Sequence, residues 1–300
     1  MPTISTPSKI AATQGYGAHV YFSGSTSEER EAVVADVMKE TGAVLVPPYD
    51  HPDIILGQGT MALELEAQVR EMVEKDASLS VHTCSPNGDA SGDRDMISKN
   101  SKAGKLDAVI APIGGGGMLS GIATALAGTG TLVFGAEPSF EGADDARRSL
   151  ASKVRVTKVS SLTIADGLRT PVGEIPWAVV SDIAKVRGVY AVSEGQILQA
   201  MRLVLERMKV VVEPSAVVGL AVCLFDEGFR GLVEREGGGG WDVGVVLSGG
   251  NVGVEALGGL FGGEIGEKEG EGDGKGEKGR EREMGKVGAR GGRVAEGVAG

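Results

Sequence analysis

The sequence predicts an α/β fold built on a largely parallel sheet. Three observations predict it. Strand-like apolar segments alternate with amphipathic helical segments through short connections. Aromatic residues are only 4% of the chain, which leaves an aliphatic interior of the kind that strands buried on both faces use. Two glycine-rich loops, Gly114-Gly115-Gly116-Gly117 and Ser248-Gly249-Gly250-Asn251, each directly follow an apolar strand.

The elements follow in chain order. Val20-Tyr21-Phe22 reads as a short strand. Ser25 and Glu28 form a capping box before a helix that turns Val33, Val37 and Met38 inward. Gly42 stops that helix, and Ala43-Val44-Leu45-Val46 is the next strand, closed by Pro47 and Pro48. From about Glu74 to Lys105 the apolar pattern breaks, and Ser85, Pro86, Asn87, Gly88, Asp89, Ser91 and Gly92 read as a surface insertion. Leu106 to Ile113 is a buried-type strand, Met118 to Ala127 a helix, and Leu132 to Ala136 another strand. Ser193 with Gln196 caps a helix whose Ile197, Met201, Val204, Leu205 and Met208 keep a helical period. Val243 to Leu247 is the last buried strand.

Glycine is the compositional anomaly. Of 49 glycines, 25 lie after residue 230. The segment 264–300 holds 12 glycines, 9 acids and 8 bases with no apolar period, so it reads as a disordered, nearly neutral tail. The net charge of -11 therefore resides almost wholly in the folded part. Such an acidic surface repels phosphate backbones and argues against a nucleic-acid partner. No apolar stretch is long enough to span a membrane. Met1, Pro2, Thr3 and Ser5 lack the basic start and apolar core of a signal peptide. Cys84 and Cys223 cannot build a disulfide framework, which points to a cytoplasmic, reducing setting. His19, His51 and His82 lack ligand spacing for zinc.

In open parallel sheets, ligands bind where loops leave the carboxyl ends of strands. Four glycines before a helix let backbone N–H groups turn toward one point and let an anion approach without Cβ clashes. The helix beginning near Met118 adds its positive end. Together they make a phosphate cradle; the bland alternative is a flexible linker. A dinucleotide is one candidate ligand, because Glu137 ends the next strand 20 residues after Gly117. The glycine offsets do not match G-x-G-x-x-G, and that reading leaves Ser248 to Asn251 unexplained.

Ile113-Gly114-Gly115-Gly116-Gly117-Met118-Leu119-Ser120-Gly121 resembles the phosphate loop of the fold-type II pyridoxal-phosphate enzymes, the tryptophan synthase β-like class. Gln58-Gly59-Thr60, Ala136-Glu137-Pro138-Ser139, Ile164-Ala165-Asp166-Gly167, Glu206-Arg207-Met208-Lys209, Val212-Glu213-Pro214-Ser215-Ala216 and Leu247-Ser248-Gly249-Gly250-Asn251-Val252 resemble, in order, segments of the serine racemase and threonine/serine dehydratase branch. The resemblance implies that Gly114, Gly115, Gly116, Gly117 and Met118 hold the cofactor phosphate. It implies that Ser248 meets the pyridine nitrogen and that Gly167 and Glu213 line the ring. Glu137, Ala143 and Asp145 resemble that branch's site for Mg or Ca, with two more residues here around Phe140 to Gly142. Tyr16, Asp107, Lys209 and Asn251 match positions that bind a nucleotide effector such as ATP. The implied activity is racemisation of serine, or β-elimination of serine- or threonine-like substrates to a 2-oxo acid and ammonia, by a homodimer.

That family also uses a lysine in a Ser-x-Lys-x-Arg-like segment and a Ser-Gly-Asn-His loop over the ring, and this sequence contains neither. It resembles a family member without about its first third. The expected organisation is a small-domain remnant in residues 1–56 with unpaired strands, a large cofactor-binding domain over 57–263, and the tail. Lys9 falls in a helix-like surface stretch. Two other readings stay open: a non-catalytic binding or regulatory chain that keeps the cradle, and a dinucleotide-binding enzyme.

Overall fold

The computed structural model describes residues 1–25, 27–80, 104–237 and 240–262. Most of the expected insertion and all of the expected tail lie outside these residues.

Four strands form one all-parallel sheet in the order β3-β2-β1-β4. They are β1 (Ala108–Pro112), β2 (Leu132–Pro138), β3 (Gly188–Val192) and β4 (Val243–Val245). The ladder is set by Ala108 opposite Leu132 and by Ala108 opposite Val243 on β1's two sides. Successive residues of β1 face opposite ways, and both faces are covered. Ala108 and Ile110 join Phe134 against α7 (Glu194–Leu203), α8 (Val218–Phe225) and α9 (Glu227–Glu236). Val109 and Ala111 join Val133 against α3 (Pro52–Lys75), α4 (Gly117–Ala125) and α6 (Glu174–Val180). The remaining helices are α1 (Pro7–Gly15), α2 (Ser27–Thr41), α5 (Asp145–Ser152) and α10 (Val254–Gly262).

The capping box at α7 is formed as expected: the Ser193 hydroxyl accepts from the Gln196 amide, and the Gln196 side chain accepts from the Ser193 amide at 2.8 Å. The strands expected at 106–113, 132–136 and 243–247 are β1, β2 and β4. The strand β3 carried no distinct signal, because Gly188 and a half-exposed Tyr190 break its apolar run. The interior is not wholly aliphatic. Phe134, Tyr190, Phe229 and Trp241 cluster on one face of the sheet, with Phe134 and Phe229 edge to face at 5.3 Å.

The two strands expected to lie unpaired in residues 1–56 form no ladder. Residues 20–22 and 43–46 belong to no strand among the described residues, and Pro2 opposite Ser23 is an isolated bridge. Val44 is 85% exposed and Val46 72%. A strand needs a neighbour for its N–H and C=O groups, and β-branched residues alone do not supply one.

The crossing of α3 and α4 explains two of the glycine motifs. A Cβ on Gly59 would stand 2.7 Å from the Gly121 carbonyl oxygen. A Cβ on Gly121 would stand 2.3 Å from the Ile55 carbonyl oxygen. The two helix backbones touch at these glycines, and this contact fixes α4 behind the loop that precedes it.

Candidate active site

The loops after β1 and β4 leave adjacent strands at the same edge of the sheet. They meet in a cavity of about 360 Å³. Gly114, Gly115, Gly116, Gly117, Met118, Gly167, Glu213 and Ser248 all line it. These are the eight residues that the sequence motifs singled out, drawn from four separate segments. Gly116 is the N-cap of α4 with φ of 88°, a left-handed conformation that favours glycine. The free N–H groups of the first turn of α4 thus open at the loop.

Each of the four glycines is also hemmed in from outside. A Cβ on Gly114 would stand 3.1 Å from the Gly167 carbonyl oxygen, and one on Gly116 2.9 Å from Pro176 Cβ. A Cβ on Gly115 would stand 2.4 Å from the Tyr49 ring, and one on Gly117 2.9 Å from Tyr49 Cβ. The loop therefore needs glycine for packing as well as for an anion's approach.

Hydrogen bonds tie the segments together. The Gly173 amide donates to the Gly115 carbonyl at 3.0 Å. The Gly167 amide donates to the Ser215 hydroxyl at 3.0 Å. The Glu213 amide donates to the Gly249 carbonyl at 3.1 Å, which seats Glu213 beside the Ser248 loop. Glu213 Oε1 crowds Gly249, while its Oε2 is buried without a hydrogen-bond partner. The glycine cradle at the start of α4 suits a phosphate, and the Glu213 carboxylate beside it is ion-paired with Lys9 at 3.4 Å.

Lys9 departs from the surface position its sequence context suggests. Its side chain is 25% exposed, and Nζ donates to both Asp166 carboxylate oxygens at 2.8 Å. Nζ also lies 3.4 Å from Glu213 Oε2. Burial works to lower the Lys9 pKa, but the bond to Asp166 and the charges of Asp166 and Glu213 outweigh it and raise it. The amine is accordingly held protonated at neutral pH. Among the described residues that line the cavity there is no lysine.

Glu137 and Asp145 are both buried below the loop after β2, as is Ala143. Glu137 accepts from the Ala146 amide at 3.1 Å and the Arg147 amide at 2.7 Å, so both its oxygens cap α5. Asp145 accepts from the Val172 amide at 3.1 Å. Burial first, and the Asp145 charge further, push the Glu137 pKa well above the usual carboxylate range. Burial raises Asp145 to about 6. Asp144 goes the other way: burial raises it, but bonds to Arg147 and Arg148 prevail and lower it. Phe140–Gly142 form a tight turn in which Glu141 has φ of 48°.

Of Tyr16, Asp107, Lys209 and Asn251, Asp107 and Asn251 lie toward opposite ends of the parallel strands. Asp107 precedes β1 at the amino edge of the sheet, where its carboxylate accepts from the Asp242 amide at 2.9 Å. Asn251 follows β4 at the carboxyl edge. Tyr16 is 92% exposed, and Lys209 donates to the Glu206 carbonyl. In a parallel sheet the two edges lie at opposite ends of every strand, so a motif's order in sequence does not place such residues together.

Sequence reasoning missed Tyr49, Asp50 and Ser215 as site residues. Asp50 accepts from the Glu174 and Ile175 amides, both at 2.9 Å, and so caps α6 beside the loop. The Pro47-Pro48-Tyr49-Asp50-His51-Pro52 run marks a rigid turn, but nothing local says where it packs.

A doubly covered parallel sheet, with a glycine cradle and a Ser-Gly-Gly-Asn loop at the carboxyl ends of adjacent strands, has the architecture of the fold-type II cofactor enzymes. The chain belongs to the family described as pyridoxal-phosphate dependent enzymes, whose model matches residues 1–92 and 95–249. It is 36% identical over 267 residues to the L-threo-3-hydroxyaspartate ammonia-lyase of Saccharomyces cerevisiae, covering 88% of this chain and 68% of that protein. It is 35% identical to a serine racemase of Oryza sativa subsp. indica, covering 83% of this chain and 62% of that protein. Among solved structures, maize serine racemase superposes with a TM-score of 0.68 at 33% identity, covering 88% of this chain and 68% of that one. The chain thus spans about two thirds of the length of these relatives.

Proposed function

We propose that this chain holds pyridoxal phosphate in the cavity above β1 and β4, for racemisation or β-elimination of small amino acids bearing a β-hydroxyl. The convergence of eight residues from four segments on one cavity carries the reading. The relatives named racemase and ammonia-lyase support it.

The cofactor, when bound, supplies a sink for the electron pair left as the substrate's Cα–H bond breaks. The chain's residues do the rest. N–H groups of Gly114 to Gly117 hold the phosphate, aided by the positive end of α4. The Ser248 hydroxyl, which lines the cavity, would meet the ring nitrogen as a neutral partner and so leave the ring a weaker sink than an aspartate would. A weak sink limits charge delocalisation and suits elimination of a β-hydroxyl. Glu213 would line the ring, and its Oε2 is ion-paired with Lys9 at 3.4 Å. Removal of the α-proton and covalent retention of the cofactor both need a neutral lysine amine. Lys9 is held charged, and no lysine lines the cavity among the described residues. The 300-residue chain should therefore bind the cofactor as the free aldehyde and turn over negligibly.

The test is to mix the purified chain with pyridoxal phosphate, reduce with borohydride and map labelled lysines by mass spectrometry, with 2-oxo acid release and serine racemisation followed in parallel. Saturable binding without specific labelling is expected. One specifically labelled lysine together with turnover would overturn the non-covalent reading. Preferred binding of a nicotinamide dinucleotide would favour the dinucleotide alternative.

A further inference from the structure

The glycine loop cannot hold its own shape. Glycine side chains pack against nothing, and four in a row leave the backbone free to wander unless something outside confines it. Three contacts confine it here. Pro176 and Val172 bear on Gly116, and Gly167 and Leu168 bear on Gly114. The third is Tyr49, whose ring lies against Gly115 and whose Cβ and backbone lie against Gly117. Tyr49 bears on two of the four glycines, including the first residue of α4.

Tyr49 is itself held. The Asp50 carboxylate takes two amides of α6, and the His51 amide donates to the Tyr49 carbonyl at 3.1 Å. The His51 ring accepts from the Asp53 amide at the start of α3. Residues 49–51 thus join the starts of α3, α4 and α6 around the loop. Tyr49 also lines the cavity, and burial raises its phenol pKa, so it stays neutral there.

We propose that Tyr49 is a positioning residue for phosphate recognition, its ring forming the wall that sets the Gly114–Gly117 amides in their anion-binding geometry. The proposal rests on the cofactor reading above and adds to it a residue distant in sequence from the loop. A ring that confines the loop should govern the phosphate end of the ligand and leave the pyridine end largely alone.

The test compares pyridoxal phosphate with pyridoxal, which lacks the phosphate, on the full chain and on Tyr49→Ala, Tyr49→Leu and Tyr49→Phe. Affinities come from ring absorbance and from the phosphorus NMR line of the bound phosphate. Tyr49→Ala should weaken pyridoxal phosphate by about tenfold or more and pyridoxal by less than about threefold, the loss expected when an anchoring group is misplaced. Tyr49→Phe should restore both the affinity and the phosphorus shift, since the ring and not the hydroxyl meets the loop. Should Tyr49→Ala fail to fold, Tyr49→Leu keeps bulk without the flat ring and serves in its place. Equal losses for the two ligands, or unchanged affinity for pyridoxal phosphate in the Ala or Leu variant, would overturn the proposal. Failure of the unaltered chain to bind pyridoxal phosphate would instead overturn the cofactor reading itself.

Discussion

Replacing Asp145 by asparagine removes one of the buried carboxylates and keeps an acceptor for the Val172 amide. Asp145 is 2% exposed, and burial raises its pKa from 3.8 to about 6. A carboxyl whose folded pKa lies above its unfolded value binds more protons when folded. Its contribution is therefore most favourable below the unfolded value and is lost as pH rises through the window from 3.8 to about 6. Above that window the ionised group costs at most about 3 kcal/mol, the free energy that corresponds to the two pKa values. Asparagine escapes this cost but loses the stronger charged hydrogen bond, so the expected gain is about 1–2 kcal/mol at pH 8. Urea unfolding with EDTA at pH 8 and at pH 4 reads it. The variant should be the more stable chain at pH 8, with most of the advantage gone at pH 4. A variant that loses more than about 1 kcal/mol at pH 8, or whose difference from the parent ignores pH, would refute the reasoning.

Three further outcomes are expected. Gly121→Ala drives a Cβ to within 2.3 Å of the Ile55 carbonyl oxygen; because the obstacle is backbone, unfolding in urea should show a loss of about 2 kcal/mol or more, and an unchanged midpoint would mean that α3 and α4 have slack at their crossing. Ser248→Ala should weaken pyridoxal phosphate by about 1 kcal/mol, one neutral hydrogen bond; unchanged affinity in an absorbance titration would remove Ser248 from the ring nitrogen. The family resemblance places Mg or Ca at Glu137, Asp145 and the Ala143 carbonyl, so either ion at ten times its dissociation constant should stabilise the chain by about 1.4 kcal/mol; a melting temperature indifferent to both ions, or a rise that persists in Asp145→Asn, would sink the cation site.

The parts of this protein that were legible in sequence are those whose physics is local. An apolar run flanked by glycine announces a buried strand with a loop at its carboxyl end, so β1 with Gly114 to Gly117 could be read residue by residue. The Ser193–Gln196 box needs only three residues of spacing, and it formed. The segments 20–22 and 43–46 have strand composition yet form no ladder, because pairing depends on a neighbour that no local pattern can supply. The same limit hid Tyr49, whose partners Gly115 and Gly117 lie on another element, and left Lys9 looking like a surface residue. Lys9 meets Asp166 across 157 residues of chain. Its raised proton affinity exists only because folding sets it beside two carboxylates whose attraction outweighs the effect of burial. Amino-acid order by itself singled out eight residues that line one cavity. Tertiary structure alone decided what confines the loop and which charges stand beside it, because packing and Coulomb interactions depend on distance in space, not on separation along the chain.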